Sequence, residues 1–157
     1  MLIKLVWIGK TRDERLRALA NEYAGRLRQF VNCVIVEVRD AVRTKQFDAE
    51  SRRVAEAAEI CRRLPARSRW VSLDEKGRAL SSKQLADWIS GEEQRGTREI
   101  AFIIGGPDGL AAEVLDRSQL KLSLGPMTWT HELCRVLLAE QLYRAYCILR
   151  NHPYHRG

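Results

Sequence analysis

Two of the three histidines in this chain, His152 and His155, fall within its last seven residues, the run Asn-His-Pro-Tyr-His-Arg-Gly at 151–157. Imidazole is the side chain that ordinarily changes charge near neutral pH. Tyr154 and Arg156 stand beside His155, so the run can accept a proton, orient a planar ring and neutralise an anion. Chain ends are usually frayed and tolerant of change. The run therefore reads either as a solvated tail or as part of an active site. Upstream, Glu140 and Arg144 are four residues apart on one helical face among apolar neighbours. A surface pair at this spacing is ordinary. Among apolar residues it is expensive, and is tolerated when each member has a task or a partner across an interface.

Two glycine-containing segments carry further potential. In "IIGGPDG", Gly105, Gly106 and Gly109 follow an apolar run and precede a helical pattern, where the backbone must turn sharply and allow close approach. The spacing is not the G-x-G-x-x-G of a dinucleotide loop, a plain Gly-Pro turn is the alternative reading, and by itself the motif is a weak signal. In "LSLGPMTWTH", Gly125-Pro126 forces a turn, and Thr128 or Thr130 can cap the helix that follows. Free N–H groups at such a helix start suit a polar ligand edge. Met127 and Trp129 can wall an adenine or serve as core or subunit contacts. His131 and Cys134, with the two tail histidines, lack the spacing of a four-donor metal site, so no metal is expected.

The elements that must position these residues alternate regularly. Strands are expected over Leu2–Gly9, Cys33–Val38, Arg69–Asp74, the run ending at Ile104 and Leu120–Leu124. Helical stripes run through Leu16, Leu19, Ala20, Tyr23, Leu27 and Phe30, and through Val54, Ala57, Ala58, Cys61 and Leu64. Others follow Ser81 or Ser82, surround Val114 and Leu115, and extend from His131 to Leu149. "EKG" at 75–77 is expected to turn the chain after the third strand. The last helix is apolar nearly all round, which implies burial on both sides and a subunit interface. Such alternation predicts an α/β domain with helices on both faces of a mostly parallel sheet. Ligands of these sheets bind beyond the carboxyl ends of the strands, here the loops after Asp74, Ile104 and Leu124.

The 157 residues fit one domain spanning 1–157. The charge of +7 favours phosphate-bearing partners, and 21 of the 27 cations are arginine, whose planar fork suits phosphates and bases. The cysteines, Cys33, Cys61, Cys134 and Cys147, fall singly, as reduced core thiols do. No run approaches the ~20 apolar residues of a membrane span. A soluble, cytoplasmic protein is expected.

Together "IKLVWIGK", "VSLDEKG", "FIIGGPDG", "LSLGPMTWTH" and "RVLLAEQLYRAYCILRNHPYHRG" resemble the ribosomal RNA large subunit methyltransferase H family, small enzymes of the SPOUT class. The resemblance covers essentially the whole chain. It implies S-adenosyl-L-methionine as cofactor, and methylation at N3 of pseudouridine 1915 of 23S rRNA in the assembled ribosome. It also implies a homodimer and a C-terminal trefoil knot within about residues 70–157. Connection rules alone argue against a knot. In this class the cofactor lies in the knotted loops, which places it near Leu73, Gly105, Leu124, Gly125, Pro126, Met127, Thr128 and Trp129. Where the family pattern has a proline before the histidine, this chain has Thr130. A threonine cap serves the same helix start, so altered loop stiffness is expected rather than lost activity.

The methyl of such a cofactor is already activated, so the protein must mainly hold methyl and nucleophile in line. The nucleophilic imide nitrogen must also lose a proton. His155 is the candidate acceptor, Tyr154 and Arg156 position base and phosphate, and Arg144 neutralises the anion. Solvent can take the proton instead, leaving the tail as an RNA clamp. RNA contacts can come from Arg12, Arg15 and Arg17 or from Arg150 and Arg156. Two competing functions are a dehydrogenase, for which the first loop lacks the glycine fingerprint, and a non-catalytic ribosome- or RNA-binding module, which the charge allows.

Overall fold

The computed structural model describes residues 1–40 and 48–156, with the side chains of His155 and Arg156 outside that description. The described chain runs β1 (Leu2–Ile8), α1 (Glu14–Leu27), β2 (Asn32–Val38), α2 (Ala49–Arg63), β3 (Arg69–Ala79), α3 (Ser82–Gln94), β4 (Glu99–Ile104), α4 (Ala112–Arg117), β5 (Leu120–Ser123) and α5 (His131–Leu149). A 3₁₀ turn over Pro153–Arg156 follows α5. The strands form one sheet in the order β2-β1-β4-β3-β5, every pairing parallel.

The period of two along each strand divides the core. Ile3, Leu5 and Trp7 of β1 and Ile100, Phe102 and Ile104 of β4 face α1, α3 and α5. Their alternates Val6, Ile8, Ala101 and Ile103 face α2 and α4. Each large apolar side chain fully buried this way contributes about 1.5–3 kcal/mol. Parallel strands covered on both faces read as continuous apolar runs, which is why "AFII" and "LVWI" show no alternation in sequence. The α1–α3–α5 layer is the larger, and α5 packs against both α1 and α3 within it.

Helix boundaries follow local chemistry. Asp13 caps α1 through the N–H groups of Arg15 and Leu16. Ser81 and Gln84 form a reciprocal capping box on α3. Thr130 caps α5, its hydroxyl accepting from the Leu133 N–H at 3.3 Å. Asn151, in the left-handed region at φ 52°, turns the chain out of α5.

Three expectations are corrected. The "EKG" segment does not end the third strand. Leu73 and Arg78 both register against Leu122, so residues 74–77 loop out as a bulge and β3 resumes beside β5. Gly77 permits this, because a Cβ there would lie 2.6 Å from the Lys121 carbonyl oxygen. The stripe on α2 is narrower than its spacing implies: Val54 is 57 % exposed and Ala58 also faces outward, while Ala57 and Ile60 are buried. Phe30 lies beyond the end of α1, in the turn leading to β2.

Candidate active site

The loops after β3, β4 and β5 converge with the first turn of α5 around a cavity of about 800 Å³ at the carboxyl edge of the sheet. Its size lies within the ordinary range for a cofactor-sized ligand. Leu73, Gly105, Leu124, Gly125, Met127, Thr128 and Trp129 line it, together with His131 and Cys134. Pro126 does not, standing exposed in the same loop. The bulge residues Asp74, Glu75 and Lys76 form part of the wall. They lie in the loop at Asp74 that the sequence pattern pointed to, here shaped as a bulge rather than a simple turn.

Backbone geometry builds this cavity. The β4–α4 loop closes on itself, with the Gly109 N–H donating to the Gly106 carbonyl at 3.0 Å. Gly105 is packed so tightly that a Cβ would sit 2.6 Å from the Gly109 carbonyl carbon. Asp108 is tied from α2, accepting from Arg52 Nε at 2.8 Å while Arg53 donates to its carbonyl. The Arg52 guanidinium holds the Asp108 carboxyl below the usual carboxylate range. In the β5–α5 loop the Ser123 hydroxyl accepts from the Gly125 N–H, and Gly125 takes φ 112°.

The lining suits an adenosine-bearing sulfonium. Leu73, Leu110, Leu115, Leu122 and Leu124 supply apolar walls, and the charged lining is mixed, with Asp74 and Glu75 beside Lys76 and Arg53, and Asp108 paired to Arg52. The indole N–H of Trp129 is buried without a hydrogen-bond partner among the described residues, a donor available to a ligand acceptor.

A second cluster lies at the other end of α5. Arg144 donates through Nε and Nη2 to Glu140 Oε1 at 2.9 and 2.8 Å. The Tyr154 hydroxyl donates to the same oxygen at 3.0 Å, and Gln141 donates to Oε2. Tyr154 packs on Tyr143 with ring centroids 4.7 Å apart, and the Arg144 guanidinium lies over the Tyr154 ring at 4.8 Å. Burial first, then the Tyr23 and Glu140 contacts, push the Tyr154 phenol well above its ordinary value. The structure thus brings Tyr154 and Arg144 together, but neither lines the cavity. His155 belongs to the 3₁₀ turn by its backbone, and its side chain and that of Arg156 lie outside the described residues.

The outward stripe of α5 is half-buried Leu133, Leu137, Glu140, Arg144 and Ile148, at helical spacing. Val136, Tyr143 and Cys147 of the same helix face the core.

Sequence reasoning missed Arg135. It is fully buried, donating to the Thr11 hydroxyl at 2.8 Å and the Ile8 carbonyl at 2.6 Å. One turn earlier, Glu132 accepts from the Arg12 and Asp13 N–H groups. The first turns of α5 therefore hold the β1–α1 loop as well as the cavity. The signal was present: Arg135 sits between Cys134 and Val136 in a helix apolar nearly all round.

No cluster of potential metal ligands occurs among the described residues, nor any helix long and apolar enough to cross a membrane.

Residues 1–155 match the family described as predicted SPOUT methyltransferase. The chain is 40% identical over 155 residues to the ribosomal RNA large subunit methyltransferase H of Geobacter sulfurreducens, and 37% identical to that of Geotalea daltonii. Each alignment covers 99% of both proteins. Among solved structures, a probable methylase family protein from Haemophilus influenzae superposes with a TM-score of 0.53 at 15% identity. That superposition covers 97% of this chain and 68% of the other, and shows likeness of fold.

Proposed function

We propose a function from one premise: the chain belongs to the SPOUT methyltransferase family, among the ribosomal RNA large subunit methyltransferase H proteins. The function is S-adenosyl-L-methionine-dependent methylation of 23S rRNA at N3 of a pseudouridine, by a cytoplasmic homodimer acting on the assembled ribosome. The observation that carries it is the cavity of about 800 Å³ walled by the three loops after β3, β4 and β5. In an open parallel sheet that edge is where ligands bind.

The cofactor, when bound, supplies an activated methyl group on a sulfonium. Leu73, Gly105, Leu124, Gly125, Met127, Thr128 and Trp129 hold it, with Pro126 setting the course of the loop. Asp74 and Glu75 favour its positive centre over a neutral product, while Asp108, paired to Arg52, fixes the β4–α4 loop. The protein's remaining tasks are to align the imide nitrogen and to remove its proton. His155 accepts that proton. Tyr154 and Arg156 orient the base and an adjoining phosphate, and Arg144 neutralises the anion left on the imide.

A distance argument supports a homodimer. The cavity lies at the start of α5 and the tail beyond its end, about 28 Å away for 19 residues at about 1.5 Å each. A tail fixed by Tyr154 to Glu140 does not reach its own cavity. An antiparallel, two-fold pairing through the Leu133–Leu137–Ile148 stripe sets the tail of one subunit beside the cavity of the other. The trefoil knot belongs to the same reading, with β5 paired beside β3 and α5 returning between α1 and α3.

The test is to incubate the purified protein and labelled S-adenosyl-L-methionine with ribosomes from cells lacking the gene, then map 23S rRNA by mass spectrometry. One added methyl on a pseudouridine is expected. Cofactor binding without rRNA methylation, or no cofactor binding with ribosomes present, contradicts the proposal.

A further inference from the structure

A second cleft, of about 820 Å³, opens on the same edge of the sheet beside the cavity just described. Its walls are the β1–α1 loop, the end of β2 and the start of α5. Five cations line it, Lys10, Arg12, Arg17, Arg39 and Arg63, against three carboxylates, Glu37, Asp40 and Glu132.

The cations outnumber the carboxylates, of which Glu37 is exposed and the other two are already engaged. Glu132 has both oxygens engaged by the backbone N–H groups of Arg12 and Asp13. Asp40 is engaged in a contact of its own. Among the described residues Arg17 and Arg63 make only loose pairs, at 3.6 Å to Glu14 and 3.8 Å to Glu59. Exposed pairs of this kind are worth little and yield readily to a better anion. Lys10, Arg12 and Arg39 are exposed.

The floor of the cleft is rigid, because Arg135 and Glu132 clamp residues 8–13 from beneath. The cations thus stand on a loop whose backbone is already fixed, which lowers the ordering cost of binding. Two residues, Pro107 and His131, line both this cleft and the neighbouring cavity. Whatever lies along the cleft is therefore delivered to the rim of the methyl-donor cavity.

We infer that this cleft holds the phosphate backbone of the rRNA strand flanking the target nucleotide, so that the base crosses the Pro107–His131 rim to the methyl donor. The inference rests on the methyltransferase reading and assigns that enzyme its substrate path. Arginine forks and a lysine along a groove are the usual means of tracking a single strand without reading its sequence. Arg15, next in line, is held against Asp13 at 2.9 Å and lies outside the cleft.

The test uses the full chain and ribosomes from cells lacking the gene. Arg12→Ala/Arg39→Ala is compared with wild type and with Arg67→Ala, which removes an exposed arginine before β3, at the opposite edge of the sheet. Ribosome affinity is expected to fall tenfold or more in the double variant. Its salt dependence should flatten by about 1.4 in log–log slope, from about 0.7 per single-strand phosphate contact. Lys10→Gln should flatten it by about 0.7. Arg67→Ala should change neither quantity, and cofactor affinity and thermal midpoint should match wild type throughout. Wild-type affinity and slope in both cleft variants, with methylation retained, would overturn this inference alone. A wild-type protein that binds no cofactor and methylates no rRNA would overturn the underlying reading.

Discussion

The two ends of α5 are built on different principles. Around His131 the site is made of backbone: glycines at close approach, a bulge and a capped helix start. Around Glu140 it is made of side chains, with Arg144, Tyr154 and Gln141 converging on one carboxylate. A backbone cavity is complete in one chain and tolerates varied side chains at its rim. The side-chain cluster does not face that cavity within its own chain, so under the proposed function its part in the chemistry would require a second copy. Ligand affinity should therefore follow the first end and turnover the second.

The largest effect is expected where backbone is most confined. Gly105→Ala places a methyl group 2.6 Å from the Gly109 backbone and must displace the loop. Cofactor affinity should fall roughly a hundredfold and stability by about 2 kcal/mol, of the size usual for overpacking. Calorimetry with S-adenosyl-L-methionine and denaturant unfolding measure the two. Wild-type affinity would mean that the loop is not part of the binding site.

At the other end, Arg144→Ala should leave cofactor affinity unchanged and lower single-turnover methylation on the order of tenfold to a hundredfold. Tyr154→Phe removes the hydroxyl's hydrogen bond to Glu140 and its longer contact with the Tyr23 hydroxyl, and should cost about 1 kcal/mol of stability. A loss of cofactor affinity in Arg144→Ala, with turnover per bound cofactor intact, would erase the distinction between the two ends.

A smaller effect should appear with pH. Burial first, then the Arg135 charge, hold His131 below its ordinary histidine value, and its place at the start of α5 acts in the same sense. On acidification below about pH 6.5 the unfolded chain takes up this proton before the folded one. Stability present above that value is therefore lost as the pH falls through the folded-state value. The thermal midpoint of His131→Asn should fall less steeply over this window than that of wild type. Equal slopes would show that His131 is not the group responsible.

The strands and helices were legible because short apolar runs bounded by turn residues and capped apolar stripes are local signals. The α5 limits were readable to the residue, with Thr130 before and a polar run after. The bulge at 74–77 was not, because "EKG" is ordinary turn chemistry until Lys121 presses against Gly77 from β5. Seven of the residues assigned to the cofactor by resemblance line the cavity, while Pro126 only shapes the loop. Arg135 was hidden for another reason: its partners Thr11 and Ile8 lie more than 120 positions away. The cationic cleft was legible only in part: Arg12 and Arg17 were candidate contacts, but Lys10, Arg39 and Arg63 join them only because the fold brings the β1–α1 loop, the end of β2 and the end of α2 to one edge.

The division of labour between the two ends is tested most directly by mixing subunits. One variant, Gly125→Val, carries a β-branched side chain where φ is 112° and so spoils the cavity while keeping the tail. The other lacks residues 153–157 and keeps the cavity. Each alone should be inactive on ribosomes from cells lacking the gene. After subunit exchange in equal amounts, half the dimers are mixed and carry one intact site each, so rRNA methylation should return to about a quarter of wild type. No recovery, in a mixture shown by native mass spectrometry to contain mixed dimers, would contradict a site shared between the cavity of one subunit and the tail of the other.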